Sequence, residues 1–151
     1  MTEILHFTVK GRVQAKQSAR FRQITAKSGK TFIQSYQKAE VTHYADWVKV
    51  CFMNAYPEHN PNVFDGKELC IKTVAFFEIP KSKSKKFKEQ ALQGIRRPIT
   101  KPDTDNIAKN IKDALNKIAF PDDSQIVTEI IEKRYAETPR AEVFIKELHA
   151  Q

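Results

Sequence analysis

The sequence predicts one α+β domain, in which a mixed sheet of about five to six strands is covered by two main helices. Its length of 151 residues suits a single domain over residues 1–151 with a real hydrophobic core. Several short segments alternate apolar and polar residues, as half-buried strands do. Two longer segments instead repeat their apolar residues at helical spacing. The combination favours helices packed against one side of a sheet.

The amino-terminal third predicts a strand, a hairpin and a helix. Residues 4–9 alternate as a strand, and residues 11–18 continue it or form an irregular loop. Residues 21–24 and 31–34 flank the turn sequence TAKSGK, which predicts a hairpin. Residues 37–55 predict a helix that buries an apolar stripe on the sheet, made of Ala45, Val48, Phe52 and Ala55.

The remaining elements follow a loop over residues 57–66, where His59 is expected at the surface because no second metal-type ligand lies at useful spacing. Residues 68–79 are the best strand candidate, and Pro80 ends it. Residues 82–93 predict a short basic helix, interpreted as a mobile flap that orders when a ligand binds. Near the end, two strands joined by the sequence AETPR are expected to pair antiparallel, at residues 125–135 and 141–148.

Residues 100–126 hold five of the seven aspartates of this basic chain. A helical pattern lies inside this window, with one buried stripe at Ile107, Ile111, Leu115 and Ile118. The pattern predicts a helix that begins near Asp103 and Asp105, whose carboxylates can cap exposed amides, and that ends at residues 120–123.

Four aspartates stand at the two ends of this predicted helix: Asp103, Asp105, Asp122 and Asp123. Carboxylate oxygens are ligands that suit Mg²⁺ or Mn²⁺, so the window is a candidate metal site if the side chains converge. The alternative is that each aspartate only caps a helix or builds a turn. Asp113 is expected to be a solvated helix residue.

The net charge of +8 points to a polyanionic partner, and the distribution of charge sharpens that inference. Residues 10–30 contain no acid and seven basic residues, Lys10, Arg12, Lys16, Arg20, Arg22, Lys27 and Lys30. Residues 81–101 contain eight basic residues against Glu89. Two basic segments beside an acidic window would position phosphates, although lysines can also simply solvate a surface. Arginine resists that second interpretation because its planar fork binds phosphate in two places.

No apolar run approaches the roughly 20 residues of a membrane span, and the amino terminus lacks the apolar core of a signal peptide. Cys51 and Cys70 stand alone in apolar contexts, without the pair spacing of a zinc site. We therefore expect a cytosolic protein with reduced core cysteines.

The segment KPDTDNIAKNIKDALN, followed by DDSQI, closely resembles the signature of the RusA family of Holliday-junction resolvases. These are small magnesium-dependent endodeoxyribonucleases of bacteria and their phages. The resemblance implies that Asp103, Asp105 and Asp123 bind the metal and that Lys109 assists catalysis. It extends less tightly over nearly the whole chain. Pro102 is a departure, because some relatives carry a basic residue directly before the first aspartate.

The expected function is therefore metal-dependent resolution of four-way DNA junctions during recombination and repair. The resemblance implies a homodimer in the cytoplasm of a bacterial or phage-infected cell, with Mg²⁺ as cofactor and Mn²⁺ as substitute. Six basic residues are expected to contact DNA: Lys16, Arg20, Arg22, Arg96, Arg97 and Lys101.

Alternatives remain open at this point. One is a structure-selective nuclease acting on flaps or forks, and another is a non-catalytic basic DNA-binding module. Lys109 itself could instead form a helix ion pair with Asp105 or Asp113, worth only a few tenths of a kcal/mol. Asp122 is a candidate partner for the metal ligands.

Overall fold

The computed structural model describes residues 4–14, 20–36 and 39–149, with the side chains of residues 20–21, 35–36 and 39–42 left aside. Nine main elements occur in chain order: β1 Ile4–Lys10, β2 Arg20–Thr25, β3 Thr31–Tyr36, α1 Ala39–Ala55, β4 Leu69–Glu78, α2 Lys85–Leu92, α3 Thr104–Leu115, β5 Ile126–Ala136 and β6 Arg140–Glu147. Two short 3₁₀ helices, Pro61–Phe64 and Asp123–Gln125, complete them.

The predicted α+β class is confirmed, and the six strands are divided between two sheets. The main sheet has four strands in the order β1-β6-β4-β5, and the β2–β3 hairpin forms a separate two-stranded sheet. The main sheet is mixed, because β6 runs antiparallel to both neighbours while β4 and β5 run parallel. The two main helices are α1 and α3, and the short α2 is a third.

The predicted antiparallel pairing of the last two strands is wrong, because β4 lies between β5 and β6. Residues 137–139 only have to cross one intervening strand, roughly 10 Å, which a short extended connection can span. The parallel β4–β5 pair needs a long crossover, and residues 79–125 supply it with α2 and α3. The short connection between β5 and β6 therefore does not form a hairpin.

The core lies between one face of the main sheet and the pair α1 and α3. The ring of Phe7 on β1 meets that of Phe52 on α1 edge to face, with centroids 5.3 Å apart. A hydrogen bond from a side chain to the backbone also fixes α1 on β1, since Trp47 Nε1 donates to the Lys10 carbonyl at 2.8 Å. Ala55 is exposed, contrary to the prediction, and Tyr44 is buried on the stripe instead.

The prediction that α3 ends at residues 120–123 is also wrong, since the helix ends at Leu115. Lys117 has a φ of 66°, and the Ala119 amide donates to the Leu115 carbonyl, so the chain turns sharply there. Ala119 and Phe120 are nevertheless buried in the core. The apolar residues extend past the end of the helix because the chain remains buried there, although its backbone is no longer helical.

His59 is half-buried rather than a surface residue, which corrects the sequence interpretation. Its Nε2 lies 2.8 Å from the Ala119 carbonyl oxygen, and its ring packs edge-on against Phe52. The histidine thus ties the loop over residues 57–66 to the turn that follows α3. Among the residues described by the structure, no helix is long and apolar enough to cross a membrane.

Candidate active site

Two contacts show the direction in which α3 lies on the sheet. Near its start, the Lys133 ammonium on β5 donates to the Thr100 carbonyl, and near its end Lys112 Nζ lies 3.1 Å from Glu129 Oε2. From the first contact to the second, residue numbers rise along α3 but fall along β5. The two elements therefore run in opposite directions. The helix has 12 residues and is about 18 Å long. Its two ends therefore form two separate acidic locations.

Asp103 and Asp105 lie at the amino-terminal end of α3. Asp103 is the N-cap residue with extended backbone, and Asp105 lies in the first turn, where the helix dipole favours negative charge. Lys101 Nζ is 3.4 Å from Asp103 Oδ2, but the two side chains are 88% and 52% exposed, so this ion pair contributes little to stability. Both carboxylates remain accessible to a ligand from solvent.

Lys109 lies one turn beyond Asp105, and its side chain is exposed. In the part of the chain that the structure describes, no ion pair joins Lys109 to Asp105. The exposed face of this end of α3 therefore presents two carboxylates followed by an ammonium group. Asp113, expected to be solvated, is half-buried.

The second acidic location follows α3. Asp123 begins a 3₁₀ helix, and its amide donates to Asn116 Oδ1 at 3.0 Å, so the residue that ends α3 also positions Asp123. The Ser124 hydroxyl donates to Asp122 Oδ2 at 2.6 Å. This hydrogen bond is the main cause that lowers the pKa of Asp122, and the positive charge of Lys117 lowers it further.

Over residues 4–14, 20–36 and 39–149, no three His, Cys, Asp or Glu side chains lie close enough together to hold one metal ion. Within one chain, α3 separates Asp123 from Asp103 and Asp105. Those two carboxylates by themselves still fit Mg²⁺, which proteins commonly bind through one or two carboxylates while water and substrate phosphate complete the octahedron. As a pair of carboxylate ligands, Asp103 and Asp105 are therefore compatible with Mg²⁺.

Sequence reasoning missed two positioning residues. Asn110 is 2% exposed, and its Nδ2 donates to the Gln14 carbonyl at 3.0 Å, which joins α3 to the segment after β1. The sequence did contain a signal for this role, because Asn110 is a polar residue inside the apolar stripe, between Ile107 and Ala114. Lys133 gave no such signal, because its contact with Thr100 spans 33 residues.

A family model described as Endodeoxyribonuclease RusA matches residues 10–146. The chain belongs to the RusA endodeoxyribonuclease family. It is also 43% identical over 95 residues to YqaN of Bacillus subtilis (strain 168), an uncharacterized protein, and the match covers 62% of this chain and 67% of that protein. The predicted family resemblance is confirmed, and membership supports endodeoxyribonuclease activity on Holliday junctions.

Three of the six basic residues that are predicted to contact DNA lie in one described stretch of the chain. Lys101 adjoins Asp103. Arg96 is held by Gln90, whose Oε1 accepts from Arg96 Nε at 2.8 Å. Arg97 is exposed. The hydrogen bond from Arg134 is the main cause that lowers the pKa of Glu132 on β5, and the positive charge of Arg97 contributes to the same shift. The three predicted contact residues belong to the segment that leads from α2 into α3.

The other predicted DNA contacts involve the hairpin. Lys16 and the side chain of Arg20 lie outside the described part of the structure. Arg22 Nε and Nη2 both donate to Gln34 Oε1, at 3.1 and 2.9 Å, across the β2–β3 pair. The predicted flap, α2, packs on β5 through Phe87 and Tyr135, whose ring centroids are 5.7 Å apart. Its mobility stays a prediction.

Proposed function

We propose that this chain is a magnesium-dependent Holliday-junction resolvase that acts as a homodimer in recombination and repair, in the cytoplasm of a bacterial or phage-infected cell. Mn²⁺ is the expected substitute for Mg²⁺. One observation supports this most directly. Exposed Asp103 and Asp105 stand between Lys101 and Lys109 at the start of α3, in a chain that matches the RusA model over residues 10–146.

The residues at this end of α3 have separable roles in the proposed reaction. Asp103 and Asp105 would hold the ion, which supplies charge neutralisation at the phosphate and a water of lowered pKa. Lys109 contacts the scissile phosphate or its leaving oxygen, where added negative charge develops. Lys133 holds the Thr100 carbonyl and so positions the backbone that enters this site.

Asp123 is the proposed third metal ligand, and its place in the fold adds a condition. Because α3 separates it from the other two aspartates, a three-aspartate site requires either a rearrangement of residues 116–125 or a carboxylate from a second subunit. A symmetric dimer also matches the substrate, since two opposed strands must be cut in a junction with two-fold symmetry.

The test compares Asp103→Asn and Asp123→Asn with Asp46→Asn, an exposed aspartate on α1 that lies 3.9 Å from Lys49. We expect the first two variants to bind junctions normally but to lose cleavage in Mg²⁺, while Asp46→Asn cuts like wild type. Ca²⁺ should support binding without cleavage, because its looser geometry aligns water poorly.

Normal cleavage by Asp103→Asn would reject the metal assignment. Flap and fork substrates are assayed beside the junction, and faster cleavage of either would favour a different structure-selective nuclease. Failure of wild-type protein to cut any branched DNA in Mg²⁺ or Mn²⁺ would favour a non-catalytic binding module.

A further inference from the structure

A cavity of about 460 Å³ lies at the carboxyl end of β4. Four parts of the chain surround it: the residues after β1, the end of β4 with residues 79–81, the residues before α3, and Pro139 in the β5–β6 connection. The Gly11 amide donates to the Pro139 carbonyl at 3.1 Å and joins two of these parts. We name this cavity the β4 cleft. Its volume lies in the usual range for pockets that hold small organic groups.

The charged side chains of the β4 cleft are mostly cationic. Arg12, Lys81 and Lys101 line it, against the single carboxylate of Glu78. Arg12 Nη2 lies 3.7 Å from Glu78 Oε2, but the side chains are 79% and 42% exposed. Such a pair is weak and can exchange for a stronger anion. The cleft therefore favours a ligand that carries negative charge.

The other walls of the cleft are apolar and aromatic. Phe77, near the end of β4, directs its ring to the face of the sheet that carries α3, and Ile79, Pro80 and Pro102 extend the surface. The Lys133 Nζ lies over this ring, 5.1 Å from the Phe77 centroid. Phe76 points to the opposite face of the sheet, where Arg140 lies 4.0 Å from its centroid. An apolar wall beside three cations fits a flat heterocycle that carries a phosphate.

The β4 cleft adjoins the candidate metal ligands. Lys101 and Pro102 line it, and the next residue is Asp103, whose Oδ2 lies 3.4 Å from Lys101 Nζ. A DNA strand whose phosphate reaches Asp103 therefore lies beside the mouth of the cleft. A stacked base pair does not enter a pocket of this kind, whereas an unstacked base does.

We propose that the β4 cleft holds one unstacked nucleotide of the strand that is cut at Asp103 and Asp105. Its base lies against the wall that contains Phe77, and its phosphate lies beside Arg12, Lys81 and Lys101. This inference rests on the proposed nuclease function and adds a specificity element to it. Because strands leave their stacks at a branch point, the cleft selects nucleotides near the branch over those within an intact duplex.

The experiment measures binding rather than cleavage, so that it stands apart from the test of the nuclease. Four-way junctions carry a single abasic nucleotide at successive positions, and their affinities are measured by fluorescence anisotropy without Mg²⁺. We expect one position near the branch to weaken binding about 10-fold, as the absence of stacking on an aromatic side chain does. In Phe77→Leu, which keeps an apolar side chain without the aromatic face, the abasic nucleotide at the same position should weaken binding less than about threefold.

A second pair of variants tests the phosphate without altering the core. A neutral methylphosphonate beside the sensitive nucleotide should weaken wild-type binding, and this loss should shrink in Lys81→Ala. Lys85→Ala is the matched control, because Lys85 is an exposed lysine in α2 that does not line the cleft. Its losses should equal those of wild type.

Equal losses at all abasic positions would overturn the proposal. So would a position-specific loss that is unchanged in both Phe77→Leu and Lys81→Ala, with cooperative melting transitions showing that the variants are folded. Cleavage of the unmodified junction in Mg²⁺ is measured separately. If that activity is absent while the position-specific loss is present, the nuclease assignment fails and the nucleotide cleft stands.

Discussion

Lys109 is the residue for which a catalytic role and a structural role predict opposite results. It is exposed on the face of α3 that carries Asp105. An ion pair one turn apart on a helix would contribute only about 0.2–0.5 kcal/mol, whereas a cation beside a transferring phosphate acts mainly on the transition state. The size of the effect on rate therefore separates the two roles.

We predict that Lys109→Ala lowers the single-turnover cleavage rate at saturating protein by about 100-fold, or roughly 2.7 kcal/mol. Junction affinity and melting temperature should change little. The control is Lys112→Ala, in the next turn of the helix, whose ammonium pairs with Glu129 at 3.1 Å and whose removal should leave the rate within about threefold. The rate is measured across a Mg²⁺ titration, and a near-normal rate for Lys109→Ala at every concentration would remove the lysine from catalysis.

At the scale of elements, α3 is joined to the segment after β1 by one buried side chain. Asn110 donates to the Gln14 carbonyl from a position that is otherwise apolar. This contact brings residues 12–14, and with them Arg12, alongside the helix that carries the candidate site.

Asn110→Ala should lower the free energy of unfolding by about 1–3 kcal/mol, because the Gln14 carbonyl loses its buried donor and a small cavity forms. Urea denaturation measures the change. Asn54→Ala, an exposed substitution near the end of α1, is the control and should stay within about 0.5 kcal/mol of wild type. Equal stabilities of the two variants would show that the Asn110 contact is not a significant link.

The β2–β3 hairpin is the second element with a testable role. Its arginine Arg22 is held across the pair by Gln34, and the hairpin shares no strand with the main sheet. A basic ribbon of this kind can lie along a phosphate backbone.

Neutralising Lys16, Arg20 and Arg22 together should weaken junction binding and reduce the slope of log affinity against log salt. The reduction should be nearly one unit for each phosphate that the variant no longer neutralises. Gln34→Ala is the matched control, because it removes the partner of Arg22 but no charge. Its slope should equal that of wild type. An unchanged slope in the triple variant would leave the hairpin with a structural role only.

For the whole molecule, the question is how the proposed three-aspartate site is completed. In each chain Asp103 and Asp123 belong to opposite ends of α3. A homodimer offers a second copy of Asp123, and a mixture of two inactive variants can report whether that copy is used.

We predict that mixing Asp103→Asn with Asp123→Asn restores nicking of one strand, because the mixed dimer then contains one site with both wild-type aspartates. With random exchange, about one quarter of all sites should be intact, and paired cuts should be rare. The measurement is denaturing electrophoresis of a junction labelled on each strand, with each variant alone as control. No recovery after verified subunit exchange would mean that Asp123 acts within its own chain or is not a ligand.

Local patterns in the sequence were sufficient for the α+β class, for β1, α1, β4 and the hairpin, and for the start of α3. Side-chain periodicity repeats within an element and needs no knowledge of its neighbours, so it can be read from one segment. The acidic window from Asp103 to Asp123 likewise identified the family, because the spacing of its residues can be read within a single stretch of chain.

Only the tertiary structure decided the neighbours of each element. β4 lies between β5 and β6, His59 contacts a carbonyl 60 residues away, and Asn110 contacts one 96 residues away. The separation of Asp123 from Asp103 and the β4 cleft arise in the same way, from the direction of α3 along β5 and from four distant segments that meet. These features depend on which surfaces bury one another, and that is a property of the packed chain rather than of any local pattern.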